Sequence, residues 1–372
     1  MLDMPILFDF NDAELTRFIT DMGLPRFRAR QIRDWLDRGA PDFASMRNLP
    51  ETLRRDLDAC ARTLPLRIIQ KLQSSDGQTT KFLMETMDGQ QIECVLMRTT
   101  YGNSVCVSSQ AGCAMGCRFC ASTLLGLKRN LTASEIFAQI LIAQWELRGD
   151  HASDRSIRPN GDANNGDVSH IVIMGTGEPL QNTENVIGFM EMANARMGIG
   201  WRRITLSTCG IVPGIRDLIA WGRPINLAIS LHAPTDQMRA ALMPINNRYG
   251  IGDVMAAAGD FTKLHNRQLM IEYILLARRG ASGDLELVNA TPEHAEKLAD
   301  LLQGMNCMVN LIPWNTVDER DFASPSGNAV HRFQDALIRR GIHTRIRRER
   351  GTDIGSACGQ LRLNHARRTD GH

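Results

Sequence analysis

Residues 104–120 read SVCVSSQAGCAMGCRFC, which combines a strand pattern with a loop rich in cysteine. The run opens with small and apolar residues typical of a short buried strand. A glycine-containing loop follows the strand and places three cysteines at a C-x3-C-x2-C spacing: Cys113, Cys117 and Cys120. In parallel α/β folds, sites form at the carboxyl ends of strands, and this loop lies at such an end.

Downstream of residue 99, short apolar runs alternate with helical patterns. The predicted strands are 104–108, 168–174, 203–207, 226–231, 268–276 and 307–312, with a late strand at 342–347, and the predicted helices are 133–147, 184–197, 252–265, 292–302 and 329–340. Such alternation predicts βα units and a parallel sheet covered by helices. About six units are too few for a closed eight-stranded barrel. We therefore expect an α/β fold built as an open, partial (β/α)6 barrel, with a doubly wound sheet as the alternative.

The first 98 residues have a different pattern. Helices are predicted over 12–20, 28–38 and 50–61, and the turn Asp88-Gly89 joins two strand-like runs, 80–86 and 91–98. We expect three parts: a small mixed α/β accessory domain over 1–98, a core over 99–350 and a C-terminal segment over 351–372. The accessory domain has four arginines within 26–33, so it is interpreted as an RNA-binding module, with a structural cap as the alternative. The polar segment 149–167 is predicted to be an exposed insertion loop.

Composition narrows the class of protein. The chain has 372 residues, 43% of them hydrophobic and 23% charged, which excludes global disorder. No apolar run approaches 18 residues and the first residues lack the pattern of a secretory signal, so we expect a cytoplasmic protein that does not bind membranes. Nine cysteines at uneven spacings argue against a disulfide framework and favour metal binding, redox chemistry or core thiols.

The net charge of +2 conceals an uneven distribution. Residues 330–372 contain ten arginines and four acidic residues, so this segment alone has a balance of +6. Arginine side chains match phosphate groups and stack on bases. Contact with nucleic acid is therefore one interpretation of this basic segment, but composition alone favours the alternative, which is a solvated arginine-rich face.

The three loop cysteines favour an iron–sulfur cluster over zinc. Structural zinc takes a fourth Cys or His at a recognisable spacing, and the nearest downstream histidine is His151, in the predicted insertion. Three thiolate ligands imply a four-iron cluster with one open iron, to which a substrate or cofactor binds.

A second motif, GTGEP at residues 175–179, ends the second predicted strand of the barrel. With the cysteine loop, it resembles the radical S-adenosylmethionine (SAM) enzymes, in which a motif of this kind holds the amino group of SAM. The resemblance narrows to the RlmN/Cfr family of radical SAM RNA adenine methyltransferases and covers nearly the whole chain. The segments that carry it are 25–32, 104–113, 204–210, 230–233, 242–246, 309–315 and 355–361.

The resemblance implies a [4Fe-4S] cluster and SAM as cofactors, with two SAM molecules consumed per turnover. It assigns Cys113, Cys117 and Cys120 to the cluster. The SAM contacts it implies are Gly177, Glu178, Ser207, Ser230, Leu231, His232 and Asn315. For His232, the alternative is a histidine buried in the core, with its hydrogen bonds made to other residues of the protein.

The resemblance also implies a covalent mechanism, because the ring carbons of adenine are too weakly nucleophilic to attack the SAM methyl group directly. One SAM methylates Cys358, and reductive cleavage of the second SAM produces a radical that takes hydrogen from that methyl group. The resulting methylene radical adds to adenine. Glu93 matches the family's proton acceptor, and Cys106 matches the thiol that releases the RNA, leaving a transient Cys106–Cys358 disulfide.

The implied substrates are an adenine of the peptidyl transferase centre of 23S rRNA and the tRNA adenosine 3′ of the anticodon, both methylated at C2. An electron-donating reductase system is the further partner. Methylation at C8 of the same rRNA adenine, as in the antibiotic-resistance branch, is the close alternative. Two others stay open: a radical SAM enzyme acting on a small molecule or peptide, and a non-enzymatic RNA-binding protein with structural zinc.

Overall fold

The structure, a computed structural model, describes residues 4–148, 166–280, 284–347, 351–354, 360–363 and 365. The N-terminal part begins with three helices, α1 (Asp12–Asp21), α2 (Phe27–Asp37) and α3 (Glu51–Cys60). Three strands follow in antiparallel order: β1 (Leu66–Gln73), β2 (Thr79–Thr86) and β3 (Gln91–Thr99). The Asp88-Gly89 turn connects β2 to β3, as predicted, with Gly89 at φ +79°.

In the rest of the chain, the strands of the barrel alternate with helices, and short additional strands lie between them. They are β4 (Gly102–Cys106), β5 (Gln110–Ala111), β6 (Arg129–Asn130), α4 (Ala133–Arg148), β7 (Val168–Ile173), α5 (Thr183–Met197), β8 (Ile204–Thr208), α6 (Val212–Trp221), β9 (Asn226–Ser230), α7 (Asp236–Leu242), α8 (Ile251–His265), β10 (Leu269–Leu275), β11 (Ala277–Arg279), β12 (Leu285–Leu287), α9 (Pro292–Leu302), β13 (Cys307–Pro313), α10 (Gly327–Arg339) and β14 (Thr344–Ile346). Most of the predicted insertion loop, 149–165, lies outside the described residues.

One sheet of ten strands organises the molecule, in the order β1-β2-β3-β4-β7-β8-β9-β10-β13-β14. The strands from β4 onward pair in parallel and follow the order of the chain. A doubly wound sheet reverses its strand order at a switch point, and this sheet has no such reversal among the described strands. The expected α/β partial barrel is confirmed, including its late strand, and the doubly wound alternative is wrong.

The accessory strands extend this sheet. Strand β3 pairs antiparallel with β4, with Val95 opposite Cys106, so β1–β3 add three antiparallel strands to the first edge of the barrel. The inner face of the three antiparallel strands β1–β3 is therefore continuous with the interior of the barrel.

Alternate residues of the barrel strands separate the apolar packing from a polar interior. In β8, Leu206 is buried against the helical layer, whereas the neighbouring Ser207 is only half-buried and contacts Ser230 of β9, with 3.3 Å between the hydroxyl oxygens. Side chains alternate between the two faces of a strand, so one set packs against helices and the other lines the interior. Asn310 of β13 and Glu272 of β10 meet in the same way, with Nδ2 donating to the carboxylate at 3.0 Å.

The sequence patterns did not reveal α6, because its first turn contains Pro213 and Gly214. Proline is tolerated there, since the N–H groups of a first turn have no partner within the helix. Gly214 is required by packing: a Cβ at this position would lie 2.6 Å from the Cβ of Leu180. Strand β1 was also missed, because its register shifts between Ile68 and Gln70 and so breaks the two-residue alternation.

Within the described ranges, no helix is both long enough and apolar enough to span a bilayer.

Helix α10 offers a matched test of the packing. Leu337 is fully buried, whereas its neighbour Ile338 is 51% exposed. Leu337→Ala should lower the free energy of unfolding by about 2–5 kcal/mol, because it leaves a cavity in the core. Ile338→Ala should change it by less than about 0.5 kcal/mol. Chemical denaturation of the two variants checks this, and equal losses would contradict the packing described for α10.

Candidate active site

The cysteine loop begins and ends at a small ladder just beyond β4. Strands β5 and β6 pair antiparallel, with Gln110 opposite Asn130 and Ala111 opposite Arg129, and so close the base of the loop. Gly112 makes the close approach possible: it adopts φ +91°, and a Cβ there would lie 1.9 Å from the carbonyl oxygen of Gly126. The ladder therefore holds residues 112–128 as a closed loop at the carboxyl end of β4.

The three loop thiols influence one another. Burial raises the pKa of Cys113 to about 12, and the negative charges of Cys120 and Glu178 act in the same direction. Burial also raises the pKa of Cys117, with Cys120 and Cys113 adding to the effect. Thiolates at these positions thus require a compensating positive charge, such as a metal core. Among the described residues, no three His, Cys, Asp or Glu side chains form a group of the kind that binds a single metal ion.

Residues from the last part of the barrel hold the far side of the loop. The indole N–H of Trp314, just beyond β13, donates to the Phe119 carbonyl at 3.0 Å. The Arg320 guanidinium donates to the Cys120 carbonyl at 2.8 Å and to the Thr123 hydroxyl at 2.7 Å. The backbone of the cysteine loop is therefore held from both ends of the barrel. No local pattern in the sequence indicates Arg320, which lies 200 residues from Cys120.

The GTGEP motif packs directly on the segment that follows β4. A Cβ on Gly175 would lie 2.7 Å from the Val107 carbonyl oxygen, and one on Gly177 would lie 2.7 Å from the Cβ of Gln110. Gly177 also adopts φ +115°, where side chains are strained. In a motif that holds the amino group of SAM, glycines let the backbone come close to the ligand. The structure adds a second requirement, which is contact between the ends of the first two barrel strands.

Glu178 is buried, and its carboxylate is largely occupied by neighbouring donors. One oxygen accepts from the backbone N–H of Leu180 at 3.0 Å and from the Thr208 hydroxyl at 2.6 Å, and the other accepts from the Cys209 backbone N–H at 2.7 Å. Burial raises the pKa of Glu178, and these hydrogen bonds oppose the rise. Because a carboxylate has about four acceptor positions, the second oxygen retains capacity for one more donor, such as an ammonium group.

Arg239 of α7 forms hydrogen bonds with the backbone at the carboxyl ends of β8 and β9. The guanidinium is fully buried and donates to the Cys209 carbonyl at 2.6 Å, the Ser230 carbonyl at 3.1 Å and the Leu231 carbonyl at 3.1 Å. It also donates to the side chain of Asn246 at 2.9 Å. Two of the predicted SAM contacts, Ser230 and Leu231, therefore receive their backbone positions from one arginine. Sequence patterns did not indicate this residue, because a charged residue in a short helix is usually exposed.

His232 is a neutral, fully packed side chain. Burial and the nearby positive charge of Arg239 lower its pKa to about 3. Its Nδ1 accepts from the Ile274 backbone N–H at 3.0 Å, and its ring meets Phe119 of the cysteine loop edge to face at 5.1 Å. The residue adopts φ +60°, which is uncommon for a non-glycine residue. These contacts favour a structural role for the ring and leave the backbone as the part able to contact a ligand.

Of the two remaining predicted site residues, the structure describes Asn315 but not Cys358. Asn315 follows β13, is half-buried and lies next to Trp314. Cys358 lies outside the described residues. The described residues on either side of it contact the accessory strands or the end of the barrel. The Asp353 carboxylate accepts from the Ser75 backbone N–H at 2.7 Å, and Gln360 donates to the Thr316 carbonyl at 3.4 Å.

Glu93 and Cys106 lie on one face of the sheet. Cys106 is opposite Val95, and Glu93 is two residues from Val95 along β3. Paired residues of an antiparallel ladder, and residues two apart on one strand, share a face. Both side chains are buried, and the Glu93 carboxylate forms an ion pair with Lys81 of β2, with 3.0 Å from Nζ to Oε2. The structure thus brings the predicted proton acceptor and the predicted resolving cysteine to the same interior surface.

The residues fit a thiolate-bound cluster with a small polar ligand beside it. Three thiols from one loop are the donors that iron–sulfur clusters use. Two buried hydroxyls, of Ser122 in the cysteine loop and Thr176 in the glycine motif, have no hydrogen-bond partner among the described residues. Buried hydroxyls are normally paired, so both positions retain the capacity to bind a polar group.

Comparison with known proteins defines the class first. A crystal structure described as a radical SAM methyltransferase from Sphaerobacter thermophilus matches with a TM-score of 0.80 and 41% identity, covering 96% of this chain and 98% of that chain. The fold and the cysteine loop, taken with this match, make the protein a SAM-dependent methyltransferase of the radical SAM class. This class implies a [4Fe-4S] cluster and SAM as its cofactors.

The particular family follows from sequence relatives. The profile of the "Ribosomal RNA large subunit methyltransferase N-terminal domain" matches residues 6–63. The probable dual-specificity RNA methyltransferase RlmN of Clostridium acetobutylicum is 43% identical over 370 residues, which is 99% of this chain and 100% of the relative. The Bacillus subtilis protein described in the same words is 44% identical over 97% of this chain and 93% of its own length. The chain belongs to the RlmN family.

Arg239→Met tests the support of the strand ends. The change leaves three buried carbonyls without this donor, so we expect the free energy of unfolding to fall by about 2–5 kcal/mol and SAM binding to weaken. Thermal denaturation and equilibrium dialysis with SAM measure the two effects. Arg216→Met, at an exposed position of α6, is the matched control. A melting temperature equal to that of the control would contradict the role of Arg239.

Proposed function

We propose that the protein methylates C2 of an adenine in 23S rRNA, at the peptidyl transferase centre, and C2 of the tRNA adenosine 3′ of the anticodon. Membership of the RlmN family supports an RNA substrate, since relatives are described as dual-specificity RNA methyltransferases. The observation that carries the proposal is the shared interior surface of Glu93 and Cys106, next to the described part of the C-terminal segment. A radical SAM enzyme without covalent catalysis has no need for a carboxylate and a cysteine in this arrangement.

In this proposal the residues divide into three groups. Cys113, Cys117 and Cys120 hold the cluster. Contacts to SAM come from Gly177, Glu178, Ser207, Ser230, Leu231, His232 and Asn315, with His232 contributing through its backbone. The reduced cluster supplies the single electron that cleaves SAM and so provides a hydrogen-abstracting radical.

The chain's own residues perform the methyl transfer. The Cys358 thiolate would take a methyl group from a first SAM, and this S-methyl group would then give up one hydrogen atom to the cleaved second SAM. The methylene carbon then bonds to C2 of adenine. Glu93 accepts the proton from C2, and a cluster held by Cys113, Cys117 and Cys120 would take up the one electron that the adduct loses. The Cys106 thiolate attacks the sulfur of Cys358, and the bond between that sulfur and the methylene carbon breaks.

The electron pair of the broken bond stays on carbon, which takes a proton to become the methyl group of the product. A Cys106–Cys358 disulfide remains. Two electrons from a thiol reductant restore both cysteines, and a separate reductase system supplies the electron for SAM cleavage. Two SAM molecules are consumed per methyl group transferred.

We further propose the division into an RNA-binding part at 1–98, a catalytic core at 99–350 and a segment at 351–372 that carries Cys358, in a cytoplasmic protein. The surface of α2 supports an RNA-binding role. Phe27 is 55% exposed, and the Arg28 guanidinium lies 4.8 Å from the centre of its ring. Exposed aromatic and arginine side chains together suit base stacking and phosphate contact.

Nucleoside mass spectrometry tests the product. Anaerobically reconstituted protein, SAM and unmodified 23S rRNA fragments or tRNA should yield 2-methyladenosine. Finding 8-methyladenosine without 2-methyladenosine would replace the proposal by the C8 alternative. Failure to bind iron or to cleave SAM reductively would favour a structural zinc site instead.

The two proposed catalytic cysteines give opposite expected phenotypes. Cys358→Ala should abolish RNA methylation and leave the visible absorption of the cluster unchanged. Cys106→Ala should instead trap a covalent protein–RNA adduct, because the thioether forms but is not cleaved. Denaturing gel electrophoresis with labelled RNA distinguishes the two. Cys60→Ala, at the exposed end of α3, is the control, and normal release of methylated RNA by either catalytic variant would refute its assigned role.

A further inference from the structure

The ion pair between Lys81 and Glu93 is almost completely enclosed. The Nζ–Oε2 distance is 3.0 Å, and the two side chains are 3% and 4% exposed. Lys81 lies opposite Val95 in the β2–β3 ladder, as Cys106 does in the β3–β4 ladder. Lys81, Glu93 and Cys106 therefore share the interior face of three adjacent strands. Within this group, the roles proposed above use Glu93 and Cys106 but leave Lys81 unexplained.

The second oxygen of Glu93 binds the C-terminal segment. The backbone N–H of Arg362 donates to Oε1 at 2.7 Å, in a buried hydrogen bond between residues 269 positions apart. Leu361 and Leu363, on either side, are buried as well. The Arg362 side chain lies in the field of the same carboxylate: burial lowers the pKa of this guanidinium, and the charge of Glu93 opposes that effect. Glu93 therefore makes a short, buried polar contact with residues 360–363, in addition to the longer hydrogen bond from Gln360 to the Thr316 carbonyl.

The two contacts of Glu93 depend on each other. A buried carboxylate is strongly disfavoured unless a counter-charge and hydrogen bonds compensate the loss of water. Lys81 supplies the counter-charge on one oxygen, which keeps the other oxygen available and correctly oriented. A hydrogen bond from a backbone N–H to a charged carboxylate is roughly twice as strong as one to a neutral acceptor.

We propose that Lys81 is a positioning residue that acts through Glu93: the ion pair orients the carboxylate, and the carboxylate docks residues 360–363 against the barrel interior. The mechanistic consequence rests on the proposed function. If Glu93 accepts the proton from adenine, it loses its negative charge, and its hold on the Arg362 amide weakens. Proton transfer would then loosen the segment at the stage when the sulfur of Cys358 must meet the Cys106 thiolate.

Hydrogen–deuterium exchange of the anaerobically reconstituted, full-length protein tests the docking without RNA. In Lys81→Met, amide exchange over residues 360–363 should be about tenfold or more faster than in the unsubstituted protein, because loss of one charge-assisted hydrogen bond corresponds to at least that factor. Lys81→Arg, which retains the positive charge, should restore most of the protection. Glu93→Gln, an isosteric mimic of the protonated acid, should give an intermediate rate.

Lys71→Met is the matched control, because Lys71 lies on the neighbouring strand β1 and forms a more exposed ion pair, with Glu146 instead of Glu93. Its exchange over these residues should not change. A uniform increase across the whole protein in Lys81→Met would indicate general unfolding, in which case Glu93→Gln decides.

Unchanged protection of residues 360–363 in both Lys81→Met and Glu93→Gln would overturn the inference. So would failure of Lys81→Arg to restore protection in a folded protein. The exchange experiment is independent of catalysis. A protein with the expected exchange pattern that forms no methyladenosine would keep the docking role of Lys81 and reject the proposed function.

Discussion

The close approach of residues 175–177 to residues 108–110 is the constraint on which the site depends. These segments follow β4 and β7, and they meet so closely that neither Gly175 nor Gly177 has room for a Cβ. The backbone N–H groups of Ser109 and Gln110 both donate to the Thr176 carbonyl, at 3.0 and 3.2 Å. This contact places the base of the cysteine loop beside Glu178. The packing of these two backbone segments therefore sets the relative position of the residues proposed to hold the cluster and those proposed to bind SAM.

Buried charges in the site are matched mainly to backbone groups of the strand ends. Glu178 accepts from two backbone N–H groups, and Arg239 donates to three backbone carbonyls. Groups of the peptide backbone cannot rotate away as side chains do, so these pairs fix the ends of β7, β8 and β9 relative to one another. A site that must bind a small zwitterionic cofactor in one orientation benefits from such fixed dipoles. The interior is consequently polar where the chemistry is proposed and apolar only toward the helices.

Much of this arrangement could be predicted from the sequence, for reasons particular to each element. The parallel strands were predictable because both their faces are covered, which produces mainly apolar runs such as 268–276, in which Gln268 and Glu272 are the polar residues. The cysteine loop and the glycine motif were predictable because their spacing carries the chemistry. Helix α6 was not, since its proline and glycine are ordinary helix breakers unless their position in the first turn and their packing against Leu180 are known. The partners of Lys81, Arg239 and Arg320 were not predictable either, because all three depend on contacts between residues that the fold, and not the local sequence, brings together.

The conformation of the cysteine loop also depends on contacts from both the first and the last strands of the barrel. Its base is set by β5 and β6 near the first barrel strand, whereas its tip is held by Trp314 and Arg320 beyond the sixth. The accessory strands make a comparable connection on the other side, since Arg129 of β6 pairs with Asp88 in the β2–β3 turn and with Glu135 of α4. Misplacement of either end of the sheet would therefore distort the backbone that presents the three thiols. Assembly of the thiolate site is for this reason coupled to formation of the whole sheet, and a cluster bound to the loop would in turn stabilise that sheet against opening.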